Sequence, residues 1–154
     1  MNIFIENPSG TKLKKEFEKG KWFTIGNLAV AYPYPYGFIP GTMQKDGDPL
    51  DAFLITANPS KIKRGDFLDT YVLGMVEYLE DGERDSKILA KSPSENIELN
   101  QNIKAAIKNF LLHAFDNKPG KRVEFNGFHD KAEAENEIRN TITAYNGSST
   151  NKEK

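Results

Sequence analysis

The chain contains no cysteine and only two histidines, His113 and His129, among its 154 residues. Without thiols it has no disulfide framework, no thiolate zinc site and no cysteine nucleophile. Two histidines are also too few for a histidine-rich metal centre. The chemistry of this chain therefore depends on its carboxylate, lysine and tyrosine side chains.

An excess of charge of one sign is also missing, because 21 lysines and arginines stand against 22 aspartates and glutamates. A balanced chain without a polybasic block lacks the electrostatic footprint of a nucleic-acid-binding protein. No apolar run approaches the roughly 20 residues that span a bilayer. Glu6 interrupts the apolar start before a signal peptide can develop. We expect a cytoplasmic protein whose partners include neither nucleic acid nor a membrane.

Length and composition indicate one folded unit. With 38% hydrophobic and 28% charged residues, the chain resembles a single globular domain. We predict that this domain covers residues 1–145. Residues 146–154 contain no apolar side chain, and we predict a disordered C-terminal tail there.

Short β-rich segments separated by glycine and proline fill the chain up to about residue 92, which predicts a mainly β protein of the α+β class. Many short strands with turns between them favour a small barrel or sandwich over a parallel sheet with crossover helices. The candidate strands are residues 2–6, 21–25, 29–32, 52–56, 67–79, 86–90 and 122–125.

Two main helices are predicted in the C-terminal part. Between Glu98 and Asp116, apolar residues recur at steps of three and four, which is one face of an amphipathic helix. A second helix is predicted to begin after Asp130 as N-cap, with Glu133 three positions further on. The side chains expected to be buried are Leu99, Ile103, Ile107, Phe110, Leu111 and Ala114 in the first helix, and Ala134, Ile138, Ile142 and Tyr145 in the second.

The densest polar motif is Asp46-Gly47-Asp48-Pro49-Leu50-Asp51, which places three carboxylates within six residues. Such carboxylates repel one another unless cations neutralise them, and oxygen-only ligands favour Mg²⁺, Mn²⁺ or Ca²⁺. An EF-hand is excluded, because its sixth position requires glycine and its twelfth glutamate, where this chain has Asp51 and Ala57. The alternative interpretation is a polar turn that leads into a buried strand.

A second acidic group, Glu80-Asp81-Gly82-Glu83-Arg84-Asp85-Ser86-Lys87, follows the long predicted strand. Asp81-Gly82 between β segments predicts a hairpin, and a charged hairpin tip is usually only a solvated one. If the two acidic groups face each other, they can hold two or more divalent ions. Such ions activate a water and hold both ends of a phosphoryl transfer.

The segment Tyr32-Pro33-Tyr34-Pro35-Tyr36-Gly37-Phe38-Ile39-Pro40 is too rich in proline for a central strand and too aromatic for a solvated linker. We predict a stiff rim. Its rings either cover the end of the barrel, or a tyrosine hydroxyl donates to an anion in the cleft.

The aromatic segment and the acidic hexapeptide that follows it closely resemble the signature of the soluble family I inorganic pyrophosphatases. The similarity extends through Ile5-Glu6-x-Pro8, Lys14-x-Glu16, Gly82 to Lys87, and the first predicted helix into Val123 to Phe128. The resemblance implies a five-stranded OB-like closed barrel with flanking helices. It also implies several Mg²⁺ ions, with Mn²⁺ as a substitute, and hydrolysis of pyrophosphate to two phosphates. The expected assembly is a homo-oligomer, commonly a hexamer in bacterial relatives.

The resemblance also assigns roles by position. Asp48 matches the general base for the nucleophilic water. The matches to metal ligands are Asp46, Asp51, Glu80 and Asp85. The matches to substrate-binding groups are Lys14, Tyr36, Lys87 and Tyr32. The matches to outer-shell acidic residues are Glu6, Glu16 and Asp81.

The chain departs from the family in its phosphate-binding groups. The family has an arginine between the Glu16 position and the Tyr-Pro motif, whereas the first arginine here is Arg64. The family also has a Tyr-Lys pair near the end of the first helix, where this chain has Ala114-Phe115. Three interpretations stay open. In the first, other cations take over the phosphate contacts, and the candidates are Lys12, Lys19, Lys21, Lys118 and Arg84. In the second, the pocket accepts a larger phosphoanhydride or a phosphate ester. In the third, the protein is a weak or inactive homologue that binds metal or phosphate.

Overall fold

The computed structural model describes residues 1–148. The strands are β1 (Asn2–Asn7), β2 (Leu13–Glu18), β3 (Lys21–Asn27), β4 (Tyr36–Ile39), β5 (Leu50–Ile55), β6 (Phe67–Asp69), β7 (Tyr71–Glu80), β8 (Glu83–Lys91) and β9 (Val123–His129). The helices are α1 (Gln101–His113) and α2 (Lys131–Asn146), with a single 3₁₀ turn at Pro59–Lys61. This is a mainly β fold of the α+β class with two helices, as the sequence predicts.

The strands form an open mixed sheet. Seven strands lie in the order β6-β1-β4-β5-β8-β7-β9, and only the β5–β8 pair is parallel. Strands β2 and β3 form a separate two-stranded ribbon. The expectation of a five-stranded closed barrel is therefore wrong for the described residues. Within residues 1–148, β2 and β3 pair only with each other, and no strand links the edge strands β6 and β9.

Each face of the sheet is covered by one helix. Alternate residues of a strand point to opposite faces, and β5 carries large apolar side chains on both. Phe53 packs in a cluster with Ile107 and Phe110 of α1. Leu54 packs in a second cluster with Ala134 and Ile138 of α2. Strand β5 is thus the centre of both cores.

Both helices begin with the type of cap that the sequence favours. The Asn100 side chain accepts a hydrogen bond from the Ile103 backbone amide at 2.9 Å. The predicted cap Asp130 accepts one from the Glu133 amide at 2.9 Å. Within residues 1–148, neither helix combines the length and the apolarity that a membrane crossing requires.

The buried face of α2 differs in part from the prediction. Ala134 and Ile138 are buried as expected, but Ile142 is 40% exposed. Thr141 takes the inward position, where its hydroxyl donates to the backbone carbonyls of Glu137 and Ile138. Helix α2 continues to Asn146, which is the first residue of the predicted tail. The remainder of that prediction, residues 149–154, lies outside the described residues.

Two strand predictions need correction. Residues 29–32 form no strand, because their backbone bonds go to the loop before β2 and to the end of α1 rather than to a ladder. The predicted strand 67–79 is divided at Thr70, whose amide and hydroxyl both donate to the Met1 carbonyl. Before Thr70, β6 pairs with β1; after it, β7 pairs with β8 and β9.

Strand β4 lies inside the segment that was predicted to be too rich in proline for a central strand. The four residues between Pro35 and Pro40 are all buried, and they pair with β1 on one side and β5 on the other. Proline is excluded only from the paired residues themselves. A short central strand therefore fits between the flanking prolines.

Candidate active site

A polar cleft with a volume of about 140 Å³ opens on the side of the sheet that α1 covers. Its walls come from the β2–β3 ribbon, strand β4, the loop before β5, the β7–β8 hairpin and the end of α1. The residues that line it are Lys14, Glu16, Leu28, Tyr32, Tyr36, Gln44, Asp46, Asp48, Asp51, Tyr78, Glu80, Asp85, Lys87, Phe110, Leu111, Ala114 and Phe115. Both acidic groups predicted from the sequence thus meet in one cleft.

Lys87 lies at the centre of these groups. Its side chain is 6% exposed, and its ammonium nitrogen is 3.1 Å from Asp51 Oδ2 and 3.2 Å from Asp85 Oδ2. The parallel pairing of β5 with β8 places Asp51 directly beside Lys87, and Asp85 is on the same face of β8 two residues earlier. Two strands therefore place two carboxylates around one ammonium group.

Two tyrosines complete this arrangement. The Tyr36 hydroxyl donates to Asp51 Oδ2 at 2.8 Å, and the Tyr78 hydroxyl donates to Asp85 Oδ2 at 3.0 Å. Both rings also flank the Lys87 ammonium, at 5.3 and 5.4 Å from the ring centres. Each carboxylate thus receives one hydroxyl and shares the same lysine.

The protonation states follow from burial and from these neighbours. Burial raises the pKa of the Tyr36 and Tyr78 hydroxyls, and the adjacent carboxylates raise it further. Burial alone would lower the pKa of Lys87, but the oxygen groups of both tyrosines and of Asp85 and Asp51 raise it well above its ordinary value. Lys87 is therefore a cation and the tyrosines are hydrogen-bond donors over a wide pH range.

The acidic loop forms the turn that the alternative interpretation describes, and it also lines the cleft. Asp46 Oδ1 accepts a hydrogen bond from the Asp48 amide at 2.9 Å. The Gln44 amide donates to the Asp48 carbonyl at 2.7 Å, and Gly47 has a positive φ of 90°. The turn presents Asp46 and Asp48 to solvent and leads directly into β5.

The cleft carboxylates do not converge on one point at which they could share a metal ion. Within residues 1–148, no three carboxylate or imidazole groups are close enough to one another to hold a metal ion between them. The Lys87 ammonium lies between Asp51 and Asp85, two of the residues that match metal ligands of the family.

The donor chemistry of the cleft nevertheless fits a hard divalent cation. Asp85 Oδ1 is buried and has no hydrogen-bond partner among residues 1–148, although a buried oxygen without a partner is costly. The other candidate donors in the cleft are carboxylate oxygens, which Mg²⁺ and Mn²⁺ prefer.

The predicted hairpin at Asp81-Gly82 is confirmed, since Glu80 pairs with Glu83 across the turn. Glu80 lines the cleft, but Asp81 does not. Instead Asp81 Oδ1 accepts a hydrogen bond from the Arg122 backbone amide at 2.9 Å, and this bond fastens the hairpin to the segment before β9.

Of the remaining predicted residues, some line the cleft and one does not. Lys14 and Glu16 line the cleft with their charged groups 3.7 Å apart, and Tyr32 lines it from a buried position. Glu6 is not part of the wall. Its carboxylate is buried and accepts a hydrogen bond from the Phe17 amide of β2 at 2.8 Å.

Two polar cleft residues were missed from the sequence, Gln44 and Tyr78. The hairpin could have revealed Tyr78, because a two-residue turn that pairs Glu80 with Glu83 also places Tyr78 opposite Asp85. Gln44 had no such signal, because its position depends on how the acidic loop folds back.

Most of the cations proposed as replacements lie elsewhere. Arg84 bonds to Glu77 at 2.8 Å and to Glu137 at 3.2 Å, and it does not line the cleft. Lys12, Lys19 and Lys21 are not part of the wall either. Lys118 is adjacent to it, because its ammonium lies 5.3 Å from the centre of the Phe115 ring, which lines the cleft.

Comparison with known proteins agrees with this architecture. A sequence model of the inorganic pyrophosphatase family matches residues 3–146. The inorganic pyrophosphatase of Sulfolobus acidocaldarius is 34% identical over 162 aligned positions, which cover 96% of this chain and 92% of the relative. That of Nanoarchaeum equitans is 36% identical and covers 92% of this chain and 95% of its own.

Solved structures are similar over nearly the whole chain. The inorganic pyrophosphatase from Coxiella burnetii has a TM-score of 0.87 at 28% identity and covers 94% of each chain. The enzyme from Thermus thermophilus has a TM-score of 0.87 at 28% identity, covering 96% of this chain and 91% of its own.

Proposed function

Because the chain belongs to the inorganic pyrophosphatase family, we propose that it hydrolyses inorganic pyrophosphate to two phosphates with the help of divalent metal ions. The observation that carries this proposal is the meeting of two distant acidic segments with Lys87 in one cleft. Pyrophosphate is a small polyanion, and its hydrolysis requires neutralised charge, an activated water and in-line positioning.

Asp46, Asp51, Glu80 and Asp85 would hold the ions, with Mg²⁺ as the leading candidate and Mn²⁺ as a substitute. The unpartnered Asp85 Oδ1 supports this assignment. Bound divalent ions would supply neutralisation of the substrate and a lower pKa for a nearby water.

Asp48 is the proposed general base. Its carboxylate faces the cleft from an exposed turn, where it can accept the proton of the attacking water. Lys14, Lys87, Tyr36 and Tyr32 are the proposed contacts to the phosphate groups. Lys87 supplies a fixed positive charge and the tyrosines supply protonated hydroxyls.

Three acidic residues act by positioning in this proposal. Glu6 fixes β2 through the Phe17 amide, and β2 carries Lys14 and Glu16 into the cleft. Asp81 fixes the hairpin that carries Glu80 and Asp85. Glu16 holds the Lys14 ammonium from within the cleft.

At Ala114-Phe115 the cleft wall is closely packed. Ala114 is 1% exposed, and lysine side chains cover the Phe115 ring. Pyrophosphate therefore remains the proposed substrate, ahead of a larger phosphoanhydride or a phosphate ester. A substrate panel with nucleotides and sugar phosphates tests this choice.

The decisive experiment measures phosphate release from pyrophosphate with Mg²⁺ or Mn²⁺ for the natural chain, Asp48→Asn and Asp116→Asn. Loss of a general base is expected to lower kcat by about 100-fold or more. Asp116 is exposed and paired with His113 outside the cleft, so its substitution is the matched control. EDTA should abolish the activity and added Mg²⁺ should restore it. A natural chain without turnover, or an Asp48→Asn variant with full turnover, contradicts the proposal.

We also propose a single domain over residues 1–145 and a cytoplasmic homo-oligomer, with a hexamer as the expected state. The match of one family model to residues 3–146 supports the single domain. Large apolar side chains support the oligomer, since Phe67 is 58% and Tyr71 56% exposed. Sedimentation velocity on the full chain tests the assembly, and a monomer at all concentrations contradicts it.

A further inference from the structure

Three lysine ammonium groups surround one aromatic ring at the edge of the cleft. The Phe115 ring centre is 4.8 Å from the Lys121 nitrogen, 5.3 Å from that of Lys118 and 5.7 Å from that of Lys14. All three distances are within the range of cation–π attraction. Phe115 and Lys14 line the cleft, and Lys118 and Lys121 lie next to this wall because they contact the Phe115 ring.

This cluster, the Phe115 lysines, stands out against the charge of the rest of the cleft. The acidic loop and the hairpin supply carboxylates, while the buried ammonium of Lys87 is already shared by Asp51 and Asp85. The carboxylates of such a cleft repel an entering polyanion unless cations lie close to it. The Phe115 lysines are the cations placed to receive it.

An aromatic face holds a lysine without neutralising it. An ammonium group has three donor hydrogens, and contact with a ring leaves them able to bond an anion. In the part of the chain that the structure describes, Lys118 forms no ion pair. The Lys121 ammonium lies 3.4 Å from Glu80 and 3.8 Å from Asp81, both of them partly exposed carboxylates. A phosphate group can replace such partners.

We infer that Lys118 and Lys121, held on the Phe115 ring, form a phosphate-binding subsite for the phosphoryl group of the substrate that lies nearer to Phe115. This inference rests on the proposed function for the identity of the substrate. It assigns to two lysines and a phenylalanine the anion contact that the missing arginine and Tyr-Lys pair leave open.

The test compares the natural chain with Lys118→Ala, Lys121→Ala and the double variant. The double variant should raise the KM for pyrophosphate by at least tenfold, because hydrogen bonds from charged donors each contribute about tenfold or more to binding. Its kcat should stay within about threefold of the natural value, because the subsite binds the substrate and does not take part in proton transfer. Lys121→Arg, which keeps the charge, should have a KM close to that of the natural chain.

Lys108→Ala is the matched control. Lys108 also lies over an aromatic ring, with its nitrogen 4.8 Å from the centre of Phe125, and neither residue lines the cleft. Circular dichroism and a thermal melt confirm that each variant is folded. The inference is overturned if the KM of the double variant is less than tenfold above that of Lys108→Ala. It is also overturned if only kcat falls in the double variant.

A binding measurement separates this inference from the proposed function. If the natural chain does not hydrolyse pyrophosphate, the proposed function fails, and the subsite is then judged by calorimetric titration with inorganic phosphate. A Kd for phosphate that is at least tenfold weaker in the double variant than in Lys108→Ala supports the subsite, and a smaller difference overturns it.

Discussion

The Lys87 ammonium lies 3.1 Å from Asp51 Oδ2, although the two residues are 36 positions apart in the chain. The parallel pairing of β5 with β8 produces this contact, and the same lysine also reaches Asp85. A buried cation shared by two carboxylates has two consequences. It balances the charge of both carboxylates inside the fold, and it places positive charge where an anionic substrate is proposed to bind.

Replacing Lys87 by methionine should lower the free energy of unfolding by about 3 to 5 kcal/mol, because two partly buried carboxylates then lose their counter-charge. Urea unfolding followed by circular dichroism measures this. Adding Asp85→Asn to the variant removes one of the uncompensated charges and should recover part of the loss. Lys108→Met is the exposed control and should change stability by no more than about 0.5 kcal/mol. An unchanged midpoint for Lys87→Met would show that the ion pairs contribute nothing.

The Tyr78 hydroxyl predicts a specific response to alkaline pH. Its pKa is raised above the ordinary value of 10.0, mainly by burial. A group whose pKa is raised in the folded state stabilises the fold below its unfolded pKa and loses that contribution as pH rises. The free energy of unfolding should therefore fall above about pH 10, and less steeply in Tyr78→Phe.

Urea titrations of both proteins at about pH 8 and about pH 11 measure this difference. At the lower pH, Tyr78→Phe should be less stable by about 1 kcal/mol, since one hydrogen bond to Asp85 is lost. The difference should shrink at the higher pH. A gap that stays constant would mean that this tyrosine ionises equally in both states.

Glu77 predicts the opposite dependence at acidic pH. Burial raises its pKa, but hydrogen bonds from Asn126 and Arg84 outweigh burial and lower the pKa below the ordinary value of 4.5. A lowered pKa stabilises the fold above the unfolded pKa, and this contribution disappears as pH falls through the folded value. Glu77→Gln should therefore be less stable than the natural chain near neutral pH and similar to it in acid.

The measurement is the midpoint of urea unfolding for both proteins at about pH 7 and about pH 3. Glu124→Gln, an exposed position on the neighbouring strand β9, is the control. Equal stability of Glu77→Gln and the natural chain at neutral pH would contradict the prediction.

Gly37 predicts a purely steric effect. A Cβ atom at this position would meet the backbone carbonyl of Phe4 on the paired strand β1. Because both strands are buried, the backbone cannot yield easily, and Gly37→Ala should destabilise the fold by about 3 kcal/mol or more. Gly147→Ala at the end of α2 is the matched control, since its Cβ would make only ordinary contacts. A thermal melt compares the two, and equal melting temperatures would contradict the steric argument.

Local features could be predicted from the sequence because they depend on neighbours in the chain. The Asp130 cap, the Asp81-Gly82 hairpin and the apolar face of α1 each follow from residues within a few positions of one another. The acidic loop was recognised by the same reasoning, both as a turn and as a cleft wall. The family was recognisable because its motif is also contiguous.

The other features of the fold and the site depend on pairing between segments that are far apart in the chain. The sequence gives no means to see that β5 pairs in parallel with β8, which brings Lys87 between Asp51 and Asp85. The central position of β4 and the separation of the β2–β3 ribbon from the main sheet depend on partners far away in the chain.

The sequence by itself thus determined which chemical groups the protein has and which short elements carry them. The tertiary structure decided which of those groups meet: Lys87 with two carboxylates, and Lys118 and Lys121 with Phe115. The physical reason is that hydrogen-bond periodicity, capping and turns act over a few residues. Strand order and helix docking are chosen by the burial of the whole core, and no single segment records that choice.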